Sequence, residues 1–174
     1  MIDPIIAMTV QLAIGTLFVA AAWHKLRDWP RIAGVVAAYR ILPDRANLPA
    51  SAMLIILELS VAVGSLIAPG ALLGAAVLLL AYALAIGFNI VRGNDRIDCG
   101  CIAYGIAGPR LAWAMVIRNT VIALVAILVS ALSLPTRSIV WVDFLSVAFA
   151  FAVSCILYAT LDSKLALPRT GARA

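Results

Sequence analysis

Five apolar stretches, each about as long as a bilayer is thick, restrict the fold of this chain more than any other feature. A helix needs about 20 apolar residues to cross a hydrocarbon core of about 30 Å. Open strands leave backbone groups unpaired in lipid, and these runs lack the alternation of barrel strands. The sequence therefore predicts an all-α, polytopic membrane helix bundle that forms a single integral-membrane domain over residues 1–174. The expected transmembrane spans are residues 5–23, 49–67, 71–91, 111–132 and 139–161.

Composition excludes the soluble alternatives. Hydrophobic residues make up 65% of the chain and charged residues 12%, whereas soluble domains are about half apolar and one quarter charged. A water-soluble fold with so few charges would expose large apolar patches and aggregate. An ordinary cytosolic enzyme, a disordered chain and a disulfide-rich secreted module are therefore excluded.

The connector between the first two spans predicts a short helix in the membrane interface. Asp28 followed by Pro30 is typical of a helix start. Four apolar side chains then recur at helical spacing, and basic residues flank them. These four are Ile32, Val35, Val36 and Tyr39.

The basic residues lie almost entirely on one side of the predicted bundle. Of 13 Lys and Arg residues, one, Arg137, falls on the side of the N-terminus, and Arg118 falls inside a span. The other eleven are Lys25, Arg27, Arg31, Arg40, Arg45, Arg92, Arg96, Arg110, Lys164, Arg169 and Arg173. By the positive-inside rule the N-terminus lies outside, and the loop of residues 92–110 is cytoplasmic. The charge is dispersed over three segments, so no nucleic-acid site is expected.

The loop after the third span carries Cys99-Gly100-Cys101. Two cysteines separated by one glycine can close a ring, because glycine permits the tight backbone that the ring demands. Such a small ring is strained, and strain makes a disulfide easier to reduce. A bridge across a single residue also constrains almost no loop and stabilises little. The pair therefore favours a shuttling redox disulfide.

Two other interpretations of the pair stay open. A C-x-C pair is half of a site for a soft metal such as Cu(I) or Zn²⁺. A second pair of ligands is not evident, since Cys155, His24 and methionines are the remaining donors of that kind. Alternatively, the two cysteines are incidental loop residues.

Polar residues inside the spans indicate a site beneath this loop. Glu58 and Arg118 lie about eight and seven residues into their predicted spans, hence roughly 10–12 Å deep. An ion pair between them would reconcile two otherwise costly residues. Such a pair either takes part in ligand binding or, as an equally simple alternative, is a structural pair that joins two helices. Other polar or reactive residues fall in the same half of the bundle: His24, Lys25, Asn89, Asn119 and Cys155. For Cys155, a buried apolar role is the simpler alternative to a relay thiol.

Several motifs together resemble the MauE branch of the DoxX-like membrane proteins, in order over about residues 10–130. The Cys-Gly-Cys after the third span is the most specific of them. The motifs are Gly15-Thr16-Leu17-Phe18, Lys25-Leu26, Tyr39-Arg40-Ile41-Leu42-Pro43, Leu57-Glu58-Leu59, Ile97-Asp98-Cys99-Gly100-Cys101 and Arg118-Asn119.

The resemblance implies a small helical bundle in a bacterial inner membrane. It also implies thiol redox chemistry at Cys99 and Cys101, which would help form or reshuffle disulfides of exported proteins with a thioredoxin-like partner. The family pattern usually continues Cys-Gly-Cys-Phe-Gly, whereas here Cys101 is followed by Ile102-Ala103-Tyr104-Gly105. This departure bears on how the partner docks.

The leading hypothesis is therefore a membrane thiol–disulfide oxidoreductase. Its electrons would pass to or from a membrane acceptor, a quinone held near Glu58, Arg118 and Trp113. Two alternatives remain: a thiophilic-metal carrier that uses Cys99, Cys101 and Cys155, and a structural subunit of a larger membrane complex. Disulfide formation belongs on the oxidising face of the membrane, but the charge count places the loop in the cytoplasm. The sequence leaves the side open.

Overall fold

The computed structural model describes residues 3–94, 97, 111–132 and 140–166 of the 174-residue chain. This part of the chain forms six α-helices and one short 3-10 turn. The helices are α1 (Pro4–Arg27), α2 (Trp29–Ala38), α3 (Asp44–Ile67), α4 (Leu72–Val91), α5 (Trp113–Ala131) and α6 (Trp141–Ala166). All except α2 are long and apolar enough to cross a membrane, with mean hydropathy of 2.1–2.2. The predicted all-helical, polytopic fold is confirmed.

Three spanning helices extend well beyond their predicted ends on the basic side of the bundle, and one of them is α6, which continues to Ala166. Helix α1 continues to Arg27, with His24, Lys25 and Arg27 in its last turn. Positive charge is favourable there because the helix dipole places partial negative charge at the C-terminus. Helix α3 begins at Asp44, five residues before the predicted start, and the acidic side chain suits a helix N-terminus for the converse reason.

The predicted helix of the first connector is present as α2. Asp28 ends α1 and directly precedes α2, and Pro30 lies in the first turn of α2, where its missing N–H costs nothing. Ile32 is buried and Val35, Val36 and Tyr39 are half-buried, so the predicted apolar face turns toward the protein. Helix α2 packs on α3.

The bundle is assembled from two closely packed pairs, α1 with α3 and α4 with α5. Helix α6 adds to the outside of α1. Small residues in the seams let helix backbones approach closely, as is common between membrane helices. The buried alanines of the main apolar cluster are Ala7, Ala62, Ala75, Ala76, Ala123 and Ala126. Large apolar side chains cover much of the outer surface, as expected for helices that face lipid.

Candidate functional site

A small cavity inside the bundle collects polar side chains from all five spanning helices. Its volume is about 30 Å³, which is room for about two water molecules. The lining residues are Leu17, Phe18, Ala21, Lys25, Glu58, Leu79, Tyr82, Arg118, Asn119 and Tyr158. The structure therefore brings together four of the residues predicted for the site: Lys25, Glu58, Arg118 and Asn119.

Glu58 is the centre of the polar contacts in this cavity. Its side chain is fully buried, and its Oε1 accepts hydrogen bonds from Lys25 Nζ at 2.6 Å and Tyr82 Oη at 2.5 Å. The ammonium of Lys25 also lies 5.6 Å from the centroid of the Tyr82 ring. An ionised group inside a membrane costs about 3 kcal/mol or more. The ion pair and the phenol hydrogen bond offset that cost for both charges.

The ion pair of Glu58 differs from the expected one. Lys25, rather than Arg118, is the basic residue that contacts the carboxylate at 2.6 Å. Helix α1 packs directly along α3, whereas α5 packs mainly on α4. The C-terminal end of α1 thus brings Lys25 to Glu58, and the long flexible stem of lysine lets its ammonium reach inward.

Arg118 lines the same cavity from α5. Its guanidinium lies 5.4 Å from the centroid of the Tyr158 ring, a distance at which a cation is attracted to an aromatic face. Asn119, the next residue, is 3% exposed and also faces the cavity. Glu58 lies 14 residues after the first residue of α3, and Arg118 lies five after that of α5. The observed helix starts therefore do not support the prediction that Glu58 and Arg118 lie equally deep in the membrane. Both side chains nevertheless line one cavity.

Two tyrosines of the cavity were missed by sequence reasoning. Tyr82 donates to Glu58, and Tyr158 lies against Arg118. Tyrosine in an apolar span is easily taken for a packing residue, because its ring is large and apolar. A usable signal was present for Tyr82, which precedes Asn89 by seven residues and so lies on the same side of α4.

Asn89 lies outside the cavity lining and instead fixes the chain where α4 ends. It is fully buried, and its Oδ1 accepts a hydrogen bond from Asn94 Nδ2 at 2.9 Å. Asn94 Nδ2 also donates to the Ala38 carbonyl at the end of α2, at 3.0 Å. Between them Gly93 adopts φ +74°, a left-handed conformation that favours glycine. This network positions the start of the loop that carries the cysteines.

Both ends of that loop pack on a second apolar cluster of the bundle. Ile86, Leu111 and Met115 form its buried part, and Ile97 packs against it. Ile97 is two residues before Cys99 in the sequence. Cys99 and Cys101 lie outside the residues that the structure describes. Within the described ranges, no three His, Cys, Asp or Glu side chains come close enough together to hold a metal ion.

The two remaining predicted residues lie apart from the cavity lining. Trp113 is the first residue of α5 and is 55% exposed. Cys155 is a free, half-buried thiol on α6, three residues before Tyr158 and so on the same side of the helix. Glu58 and Arg118 therefore line one cavity, and Trp113 does not belong to its lining.

A protein-family model and several known proteins match most of this sequence. A family model described as methylamine utilisation protein MauE matches residues 3–133, a range that includes Lys25, Glu58, the Cys-Gly-Cys and Arg118. The methylamine utilization protein MauE of Paracoccus versutus is 37% identical over 169 residues, covering 95% of this chain and 90% of that protein. Its counterpart in Paracoccus denitrificans is 38% identical over 133 residues, covering 75% and 71%.

The same protein of Methylorubrum extorquens is 34% identical over 174 residues, covering 98% of this chain and 92% of that relative. No solved structure matches the chain. The family model and the length of these alignments establish that this multi-pass membrane protein belongs to the MauE family.

Proposed function

We propose that this protein is a membrane thiol–disulfide oxidoreductase that serves methylamine utilisation through Cys99 and Cys101. The observation that carries the proposal is the placement of the Cys-Gly-Cys between α4 and α5, the most extensively packed helix pair. Reactive groups need support from rigid elements to meet a partner in a productive geometry. The Asn89–Asn94 network and the packing of Ile97 and Leu111 supply that support at both ends of the loop.

The relatives supply the physiological setting of the proposal. All of those compared are named for methylamine utilisation. A membrane protein with a C-x-C pair fits a maturation role in such a system, in which disulfides of an exported protein are formed or rearranged. We infer a thioredoxin-like protein as the direct partner, because a partner that carries two cysteines can complete the two-electron exchange with a C-x-C pair in one encounter.

The exchange step conserves electrons and atoms. A thiolate of the partner attacks one sulfur of the Cys99–Cys101 disulfide, which breaks the S–S bond and forms a mixed disulfide. The second partner thiol, after losing its proton, attacks the mixed disulfide. This releases the partner as a disulfide and leaves Cys99 and Cys101 as thiols, so two electrons and two protons have moved to this protein. The reverse sequence reduces the partner.

A quinone ring does not fit the cavity around Glu58 and Arg118 as the structure shows it. The cavity volume of about 30 Å³ accommodates about two waters. This is less space than the six ring carbons and two oxygens of a quinone require. Trp113, which the sequence suggested as a third contact, is 55% exposed and outside the lining. We therefore derive no step through a quinone at this position.

The proposed location is a bacterial inner membrane with the N-terminus outside. The uneven distribution of basic residues supports this orientation and places the Cys-Gly-Cys loop in the cytoplasm. In that case the pair receives reducing equivalents from a cytoplasmic thioredoxin-like protein. The opposite orientation would place the same exchange chemistry on the oxidising face.

Trapping of the mixed disulfide tests the proposal. The Cys101→Ser variant, expressed at full length in cells, keeps Cys99, whose thiolate can attack the disulfide of an oxidised partner in the reverse sequence. It lacks Cys101, the thiol that would resolve the mixed disulfide. We expect it to accumulate a covalent adduct with a thioredoxin-like protein that a reductant releases. Cys155→Ser is the matched control and should trap nothing. If neither Cys101→Ser nor Cys99→Ser forms such an adduct, and the Cys99→Ser/Cys101→Ser double variant supports normal growth on methylamine, the proposal is wrong.

A further inference from the structure

We propose that the cavity between the five spanning helices binds one or two ordered water molecules, which connect Glu58 Oε2 on α3 to the guanidinium of Arg118 on α5. Glu58 stays a carboxylate in this arrangement, and the water is a structural link between helices. The proposal concerns the bundle interior and stands whether or not Cys99 and Cys101 exchange disulfides. It rests on the hydrogen bonding of Glu58, the volume of the cavity and the groups that line it.

The second oxygen of Glu58 meets no hydrogen-bond donor among the residues that the structure describes. Oε1 accepts from Lys25 Nζ and from Tyr82 Oη, whereas Oε2 is buried without such a contact. The ion pair with Lys25 makes Glu58 a carboxylate, and both oxygens of a carboxylate are acceptors only. Native proteins normally satisfy buried acceptors with protein groups or ordered water. Oε2 therefore needs a small ligand that donates a hydrogen bond.

The cavity suits water in volume, polarity and charge. A buried water needs about 10–15 Å³ and two to four polar partners. The cavity provides about 30 Å³, and Glu58, Arg118 and Asn119 contribute polar side chains to its lining. A small cation such as ammonium would also fit by size, but Lys25 and Arg118 line the same cavity and would repel it. Water is thus the donor that matches the site.

Arg118 contributes the hydrogen-bond donor on α5. Its side chain lines the cavity, and its Nε is buried. A guanidinium carries five N–H donors, so Arg118 can donate to a water while its charge also lies against the Tyr158 ring. A water that accepts from Arg118 and donates to Glu58 Oε2 has both hydrogen bonds made to charged groups, and such bonds are the stronger kind.

The water joins the two closely packed helix pairs of the bundle. Glu58 belongs to the α1–α3 pair, and Arg118 belongs to the α4–α5 pair. The hydrogen bond from Tyr82 to Glu58 already connects α4 with α3, and the water extends this connection to α5. Water-mediated hydrogen bonds are nearly as favourable in enthalpy as direct ones. The link between Glu58 and Arg118 that the sequence suggested is therefore made through water.

Radiolytic hydroxyl-radical labelling of the full-length protein in lipid vesicles detects the water. Radicals that form from a bound water oxidise the side chains beside it. We expect oxidation of Phe18, which lines the cavity and is 1% exposed. Met115 is the matched control, because it is equally buried, lies outside the lining and is chemically easier to oxidise than phenylalanine. If Phe18 is oxidised no more than Met115, the proposal is wrong.

A cavity-filling variant shows whether this labelling comes from the cavity. Ala21→Val adds two methyl groups at the lining. Ala126→Val adds them at a buried position of the apolar cluster, outside the lining, and is the matched control. Both variants overpack the bundle, so a general loosening would affect labelling in both. We expect Ala21→Val to abolish the labelling of Phe18 and Ala126→Val to retain it. Equal labelling in the two variants would contradict a bound water.

A double-mutant cycle tests the connection between Glu58 and Arg118. Because the water couples the two residues, the Glu58→Gln/Arg118→Met variant should lose less in unfolding temperature than the sum of the two single losses. This non-additivity should become smaller when Ala21→Val displaces the water. Additive losses in the parent protein, or the same non-additivity with and without Ala21→Val, would overturn the water-mediated link.

Discussion

Lys25 and Glu58 form a buried ion pair, with 2.6 Å between Nζ and Oε1, although they are 33 residues apart in the sequence. Their side chains are 3% and 1% exposed. Lys25 lies in the last turn of α1, and Glu58 lies 14 residues into α3. The pair therefore joins the C-terminal end of the first spanning helix to the middle of the second.

Removal of one partner of this pair should be strongly destabilising. In Lys25→Met, the buried carboxylate of Glu58 loses its counter-ion, and breaking a buried pair in this way costs about 3–5 kcal/mol. We expect a correspondingly lower unfolding temperature in detergent. The Lys25→Met/Glu58→Gln double variant should recover much of the loss, because it leaves no unpaired charge. Equal destabilisation of the single and double variants would show that the charges are not coupled.

The close approach of α1 and α3 near Gly15 gives a second test. A Cβ on Gly15 would lie 3.1 Å from Leu66 Cδ2 and 3.4 Å from the Ala62 carbonyl oxygen. Gly15→Val should therefore force the helices apart, at the cost of about 1–3 kcal/mol that overpacking usually carries. The unfolding temperature of the purified protein measures this effect.

Gly34→Val is the matched control for that substitution. Gly34 lies in α2, and a Cβ there would meet nothing within 4 Å. Since valine has a higher helix propensity than glycine, we expect a gain of a few tenths of a kcal/mol. If both variants change the unfolding temperature equally, close packing of α1 and α3 is not what excludes a larger residue at position 15.

The spans could be predicted from sequence because membrane insertion depends on local hydropathy, which a run of residues records directly. The partner of Glu58 could not, because it depends on which helices are neighbours. Both Lys25 and Arg118 were available, and the packing of α1 on α3 decided for Lys25. Tyr82 was missed for a related reason: its hydroxyl reaches the carboxylate only because α4 places it beside Glu58.

The start of the cysteine loop should depend on Asn94. Asn94→Ala removes the donor to both Asn89 Oδ1 and the Ala38 carbonyl, and it leaves the buried Asn89 without that partner. A lost buried hydrogen bond of this kind costs about 1–3 kcal/mol. We expect slower formation of the mixed disulfide in the Cys101→Ser background, measured as adduct against time.

A polar residue on the far side of the bundle provides the control for Asn94. Ser146→Ala in α6 removes a hydrogen bond from an exposed hydroxyl to the Val142 carbonyl, so it should leave adduct formation unchanged. Equal adduct formation in the Asn94→Ala and Ser146→Ala backgrounds would show that the Asn89–Asn94 network has no part in presenting the cysteines.

The orientation of the loop can be measured with a membrane-impermeant maleimide on intact cells. Eleven basic residues on the loop side and one on the other predict that Cys99 and Cys101 are protected in intact cells and labelled after permeabilisation under reducing conditions. A Cys155→Ser background confines the signal to these two thiols.

Ala68→Cys, introduced with Cys99→Ser and Cys101→Ser, is the reciprocal control, because exposed Ala68 lies at the opposite end of the spans, between α3 and α4. It should be labelled in intact cells. Labelling of Cys99 with protection of Ala68→Cys would reverse the topology and place the thiol chemistry on the oxidising face, despite the charge distribution.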